Sequence, residues 1–312
     1  MHAVVSNEVI EQHLSPKRAL AAVRHALNDL AHGRATDEPR HRMPLRRGTF
    51  NVMWAASTPL DTVALKAYAA VRTETRQATE IHISLSSMST GRLRATLRGD
   101  LLGQRRTGAA SVAAAELLAR PAPASLAVFG TGFQAHGQLE AFLDHFDSIG
   151  EVSVVGRNPR AVAALVDWTS ARFPGRKVVA AEAEAAVRRS DIVVTATASS
   201  TPVFDGEWLQ LGTHVCAVGS NHAAAREIDA VTLHRSALVV VDSRATAGRE
   251  AGDLLLNDYA VSDAVELPGV IAGEVGRRDD DDITIFSSQG LAVEDLYAAD
   301  VVVRSLDEDA AA

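Results

Sequence analysis

Gly130, Gly132 and Ala135 stand in the run GTGFQA, directly after the apolar stretch 124–129. A strand, a glycine turn and a helix in that order make a cradle for a dinucleotide pyrophosphate. Gly130 allows the sharp turn, Gly132 lets the backbone approach the phosphates, and Ala135 lets helix and strand pack closely. Thr131 lies within the turn and Gln134 opens the helix, both as part of the cofactor site, and the helix start offers N–H groups and a partial positive charge to an anion. A second chemical signal is Lys66, set in the otherwise apolar VALKAYAAV. Lysine is rarely placed there without a task. It reads either as an edge or snorkelling residue or as a functional one, a proton donor or a contact to a carboxylate or imine. Desolvated beside arginines, its ammonium would release a proton near neutrality and suit general-acid work.

The second β–α turn reads VVGRNPRA. Sites for NAD usually carry an acid at the end of this strand, accepting from the ribose 2′-hydroxyl. Gly156, Arg157 and Asn158 stand there instead. An arginine can pair with a 2′-phosphate, and Arg160 could assist, so NADP(H) is expected to be preferred with NAD(H) still accepted. Thr197 and Ser199 follow the fourth strand, at the carboxyl edge where such sheets bind ligands. Val218 and Gly219 end the next strand. The eleven histidines are scattered, and no HExxH or CxxC spacing spells a metal site.

These residues need elements to hold them. After the linker Arg120-Pro121-Ala122-Pro123, strands are expected at 124–129, 151–155, 177–181, 191–196, 213–218 and 237–242, with helices at 133–146, 159–172 and 182–188. Apolar runs without alternation suit a parallel sheet covered on both faces. Ahead of the linker, Ser15 and Pro16 open a helix whose stripe is Leu20, Val23, Ala26, Leu27 and Leu30. Alternating segments FNVMWAAS, TVALKAYAAV and EIHISLSS then read as a mainly antiparallel or mixed sheet. A returning strand is expected at 92–98 and a helix at 99–118. Beyond a solvated acid turn at Asp279–Asp282 come a short strand, 283–286, and a closing helix, 290–306. The expected class is α/β: a Rossmann-type doubly wound parallel sheet over 121–289, plus a discontinuous α+β domain from 1–120 and 290–312.

The 312 residues carry a net charge of −8, which speaks against nucleic acid or an anionic membrane as partner. No stretch has the roughly 20 apolar residues of a membrane span. The N-terminal MHAVVSNEVIEQHL carries acids and no basic region, so it does not read as a secretion signal. Cys216 is the single cysteine. It excludes an intrachain disulfide and points to a reducing compartment, the cytoplasm. Its apolar setting, THVCAVG, reads as a buried, inert thiol.

GTGFQA, TATASSTPVFDGEWLQLGTHVCAVGS, REID, EAGDL and TIFSSQGLAVEDLYAA occur in one order. Together they resemble the ornithine cyclodeaminase/mu-crystallin family. The resemblance implies a homodimer whose discontinuous domain supplies substrate groups. Small α-amino acids, α-imino acids or cyclic imines are the implied substrates. It points to Arg106 and Arg40 as the carboxylate fork, with Arg105 as the neighbour most easily mistaken for Arg106, and to Lys66. It places Ser288 and Gly290 near the nicotinamide amide. Glu227 and Asp253 match its motifs and are expected to make structural hydrogen bonds. Cyclodeaminases of the family resemble GGD where this chain has Gly219-Ser220-Asn221, and asparagine cannot take up a proton as a carboxylate does. The expected reaction is therefore hydride transfer at a C–N bond. A cyclodeaminase and a non-catalytic ligand-binding protein are the alternatives. His222 is a second candidate proton carrier.

Overall fold

The computed structural model describes residues 4–72 and 77–311. Two compact units form, one from 1–106 with 291–312 and the other from 107–290.

The first unit begins with β1 (Val4–Val5), α1 (Asn7–His13) and α2 (Pro16–Ala31). Ser15 caps α2 by accepting from Arg18 N–H at 3.3 Å, and Pro16 occupies its first turn. Leu20, Val23, Ala26 and Leu27 are buried as the 3.6-residue period requires, and Leu30 is half-buried. Then come β2 (Ala35–Leu45), β3 (Gly48–Ser57), β4 (Thr62–Arg72), β5 (Gln77–Ser87) and β6 (Leu93–Arg98). They form a six-stranded sheet in the order β1-β6-β5-β4-β3-β2, antiparallel except that β1 runs parallel to β6. In β4, Thr62, Ala64 and Lys66 are buried while Val63 and Leu65 are exposed, the period-two alternation of a sheet covered on one face. The cover comes from α11 (Ala292–Ala311), which packs on α2 and on β2 to β5.

Helix α3 (Asp100–Leu118) contains the point where the units part, between Arg106 and Thr107. This lies upstream of the proline linker at 120–123, where the sequence suggests a boundary. The reason is packing. A Cβ at Gly108 would stand 2.8 Å from Gly137 O and from the Ala141 Cβ, so this half of α3 presses against the next helix.

The second unit continues as β7 (Ser125–Phe129), α4 (Phe133–His145), β8 (Glu151–Val155), α5 (Pro159–Arg172), β9 (Lys177–Ala180), α6 (Ala183–Arg189), β10 (Ile192–Thr195) and β11 (His214–Ala217). After these come α7 (Ala230–Arg235), β12 (Leu238–Val241), α8 (Arg244–Glu250), α9 (Gly252–Leu255), β13 (Val265–Glu266), α10 (Leu267–Ile271) and β14 (Thr284–Ser287). All eight strands are parallel, in the order β13-β12-β14-β11-β10-β7-β8-β9. The chain turns outward in both directions from β7, so β7 and β10 flank the switch point of a Rossmann-type sheet. The short strand expected near 283–286 is central, seated between β11 and β12. Asp279–Asp282 form a turn in which Asp282 accepts from Arg278 N–H at 3.0 Å and Asp279 N–H at 3.1 Å. Among the described residues, no helix is long and apolar enough to cross a membrane.

Candidate active site

The glycine turn leaves β7 at the switch point. Gly130 has φ +114°, and a Cβ there would stand 2.3 Å from Ala196 O, so no other residue fits without moving backbone. Gly132 is the N-cap of α4 in ordinary extended geometry, and no side chain caps this helix. A Cβ on Gly132 would meet no heavy atom within 4 Å; it would enter the cavity that Gly132 lines. That cavity, about 670 Å³, is bordered by Gly130, Thr131, Gly132, Gly156, Arg157, Asn158, Glu182, Thr197 and Ser199 among others. A helix N-terminus without a cap and a space that a side chain would fill suit an anionic ligand such as a pyrophosphate.

Arg157 is exposed along the cavity wall. Asn158 also borders it, but its carboxamide serves as the α5 cap, accepting from Arg160 N–H at 3.0 Å and Ala161 N–H at 3.4 Å. Arg160, Gln134, Ala135, Val218, Gly219, Ser288 and Gly290 do not border it. Ala135 is fully buried under the turn. Gly219 gives its N–H to Glu227 at 2.7 Å. Ser288 and Gly290 are tied to Asp242, which accepts from the Ser288 hydroxyl at 3.4 Å and Gly290 N–H at 2.6 Å.

Glu227 and Asp253 make the structural bonds expected of them. Glu227 accepts from the Thr195 hydroxyl (2.9 Å), Thr197 N–H (2.6 Å) and Gly219 N–H (2.7 Å), joining the ends of β10 and β11. Asp253 accepts from the backbone N–H of Glu227 (2.6 Å) and Ile228 (3.1 Å). Burial pushes its carboxyl up to about 7, with the Glu227 charge adding to the shift. His222 is exposed on the following loop. Cys216 is buried 3.2 Å from His214 Nε2, and burial pushes the thiol far above its ordinary range.

The first unit holds a buried charge cluster. Lys66 Nζ donates to both oxygens of Asp295, at 3.0 and 2.9 Å. Arg106 gives Nε to the same carboxylate at 3.1 Å and Nη1 to Glu294 at 2.8 Å. Arg40 lies where a bulge shifts the β2–β3 register, and bulges re-aim side chains. It is buried, with Nε 3.3 Å from Met53 Sδ. Burial lowers the Lys66 ammonium to about 8; Arg106 and Arg40 push the same way, and Asp295 opposes them. Asp295 itself is held below its ordinary range, because Arg106 and Lys66 outweigh its burial. Both acids sit in the first turn of α11, where the helix dipole favours negative charge. Arg105 is turned elsewhere, giving Nη1 to the carbonyls of Glu11 (3.1 Å) and Leu14 at the end of α1. Glu294 and Asp295 are the members that sequence reasoning missed. Their signal was two adjacent acids inside the apolar run GLAVEDLYAA. In the sheet that carries Lys66, Met53 is buried, Trp54 stacks on His41 at 4.9 Å, and His82 contacts Glu80 at 3.0 Å. Among the described residues, no group of three His, Cys, Asp or Glu is placed to hold a metal ion.

A model of the ornithine cyclodeaminase/mu-crystallin family matches residues 1–309. The chain belongs to that family. A Δ1-pyrroline-2-carboxylate reductase of Bacillus cereus is 38% identical over 223 residues, which are 70% of this chain and 68% of the relative. The structure of the Thermococcus litoralis Δ1-pyrroline-2-carboxylate reductase with NADH and L-proline superposes with a TM-score of 0.93. It is 28% identical and covers 99% of this chain and 98% of its own. An archaeal alanine dehydrogenase dimer with bound NAD gives 0.92 at 30% identity, covering 99% and 97%. The family's fold is therefore that of both units described above.

Proposed function

We propose that this chain is an NAD(P)H-dependent reductase of small α-imino acids and cyclic ketimines of the pyrroline-2-carboxylate kind, or an L-amino acid dehydrogenase running the reverse reaction. The observation that carries the reading is the buried cluster of the first unit. Arg40, Lys66 and Arg106 are buried there, and Lys66 and Arg106 converge on the carboxylates of Glu294 and Asp295. A grouping of three cationic side chains suits a substrate carboxylate, and arginine presents planar donors for that group. The names of the B. cereus and T. litoralis relatives support the same substrate class.

In this reading Arg106 and Arg40 hold the substrate carboxylate. Asp295 fixes Lys66 and Arg106 through one shared carboxylate. Lys66, with its proton loosened by burial, delivers it to the imine nitrogen. The reduced nicotinamide, when bound, supplies hydride to the imine carbon. The glycine turn, the α4 N-terminus and the Thr197–Ser199 wall would hold that nucleotide in the second unit. Gln134, Ala135, Val218, Gly219, Ser288 and Gly290 would support it from behind the wall. Arg157, on a strand end without an acid, supports a preference for NADP(H), with NAD(H) accepted. Asn221 in place of an aspartate disfavours redox-neutral cyclisation. A homodimer and a cytoplasmic setting complete the reading; the dimeric archaeal relative supports the first and the lone buried Cys216 the second.

The test is loss of NADPH or NADH absorbance with pyrroline-2-carboxylate, piperideine-2-carboxylate, or pyruvate plus ammonia. Turnover of at least one is expected. No turnover with any of them, together with proline release from ornithine, would overturn the reading.

A further inference from the structure

The cavity beside the glycine turn carries a negative charge as well as a positive one. Glu182 borders it from the turn after β9, as Arg157 does from the turn after β8. Glu182 is the N-cap residue of α6, and its side chain makes no capping hydrogen bond to that helix. The residue is exposed and borders a ligand-sized space. The two charges come from the turns that follow neighbouring parallel strands. A nucleotide seated on the glycine turn would meet both.

We infer that Glu182 is a specificity-determining residue, opposing the 2′-phosphate that Arg157 attracts and so setting the balance between NADP(H) and NAD(H). This rests on the nucleotide reading of the cavity. Arg157 offers planar donors to a 2′-phosphate. Glu182 repels the same group through space and can accept from a ribose hydroxyl or an adenine amine. Such a site takes both nucleotides, with a ratio tuned by two opposed side chains. The acid of an NAD site ordinarily stands at the end of the second strand, here β8; Glu182 comes instead from the next turn along the sheet edge.

The experiment is equilibrium binding of NADP+ and of NAD+ to the full chain, followed by calorimetry, for the parent, Glu182→Gln and Glu184→Gln. Glu184 lies on the same helix and is paired with Arg188 at 2.8 Å, so it controls for net charge. Glu182→Gln should shift the affinity ratio toward NADP+ by about threefold to tenfold, the reach of a unit charge across several ångströms of a solvent-open site. The shift should shrink as salt rises, and Glu184→Gln should leave the ratio unchanged. Parent-like ratios in Glu182→Gln, or equal shifts in both variants, would overturn the inference while leaving the nucleotide site intact. Absence of binding by either nucleotide to the parent would overturn the nucleotide reading itself.

Discussion

Asp295 divides one carboxylate between Lys66 and Arg106, so the protonation of the lysine depends on it. Burial and the two arginines lower the ammonium, Asp295 raises it, and the balance lies at about 8. A general acid must carry its proton, so kcat/KM for imine reduction should be full below about pH 8 and fall above it. Asp295→Asn removes the charge that retains the proton. The falling limb should then move to lower pH by about one unit or more, while NADPH affinity at neutral pH changes little. A pH profile of kcat/KM beside a binding titration checks this; a limb that does not move removes Lys66 from the role. Lys66 was legible because a lysine in an apolar strand is conspicuous. Its partner was not, since Glu294 and Asp295 lie more than 200 residues away, and only the packing of α11 on the sheet brings them to it. Arg105 and Arg106 are adjacent in sequence, and helix geometry alone sends one to α1 and the other to the cluster.

At the scale of elements, the two glycines of the turn separate folding from binding. Gly130 is needed by the fold, because its backbone is left-handed and its missing Cβ would strike Ala196 O. Gly130→Ala should cost about 2 kcal/mol or more of stability. Gly132 has ordinary φ and ψ and open space beside it. Gly132→Ala should cost about 1 kcal/mol or less, yet weaken nucleotide binding by about tenfold or more, because the methyl takes the place of the pyrophosphate. Denaturant melts and NADPH titrations of both variants check the pair; equal losses of stability, or unimpaired binding by Gly132→Ala, would count against the cradle. The β–α alternation of the second unit was readable because unbroken apolar runs and glycine turns mark it locally. Strand β2 was not readable. It contains Pro39 and Pro44 among charged residues, and only its place at the sheet edge lets a strand tolerate them.

At the scale of the whole molecule, the exposed face of the six-stranded sheet bears on assembly. The six-stranded sheet is covered by α2 and α11 on the side that buries Ala64 and Lys66. Its other side exposes Val63 by 37% and Leu65 by 46% in a central strand, opposite Ala56 and Trp54 of β3. Large apolar side chains in mid-sheet, away from any edge, are costly to leave in water and suit burial against another chain. The homodimer proposed above supplies an occupant for this face, since a two-fold axis makes one patch its own complement. Leu65→Glu places a charge at the middle of that patch without touching the buried face. It should convert a dimer to a folded monomer in sedimentation, with circular dichroism unchanged. Because Lys66 is the next residue on the same strand, with its side chain on the opposite face, the monomer also reports whether β4 keeps its shape alone. Retained imine reduction would show that the charge cluster is complete within one chain. Lost reduction with intact nucleotide binding would show that pairing of the sheets holds Lys66 in register. A parent that sediments as a monomer would remove the dimer from the account.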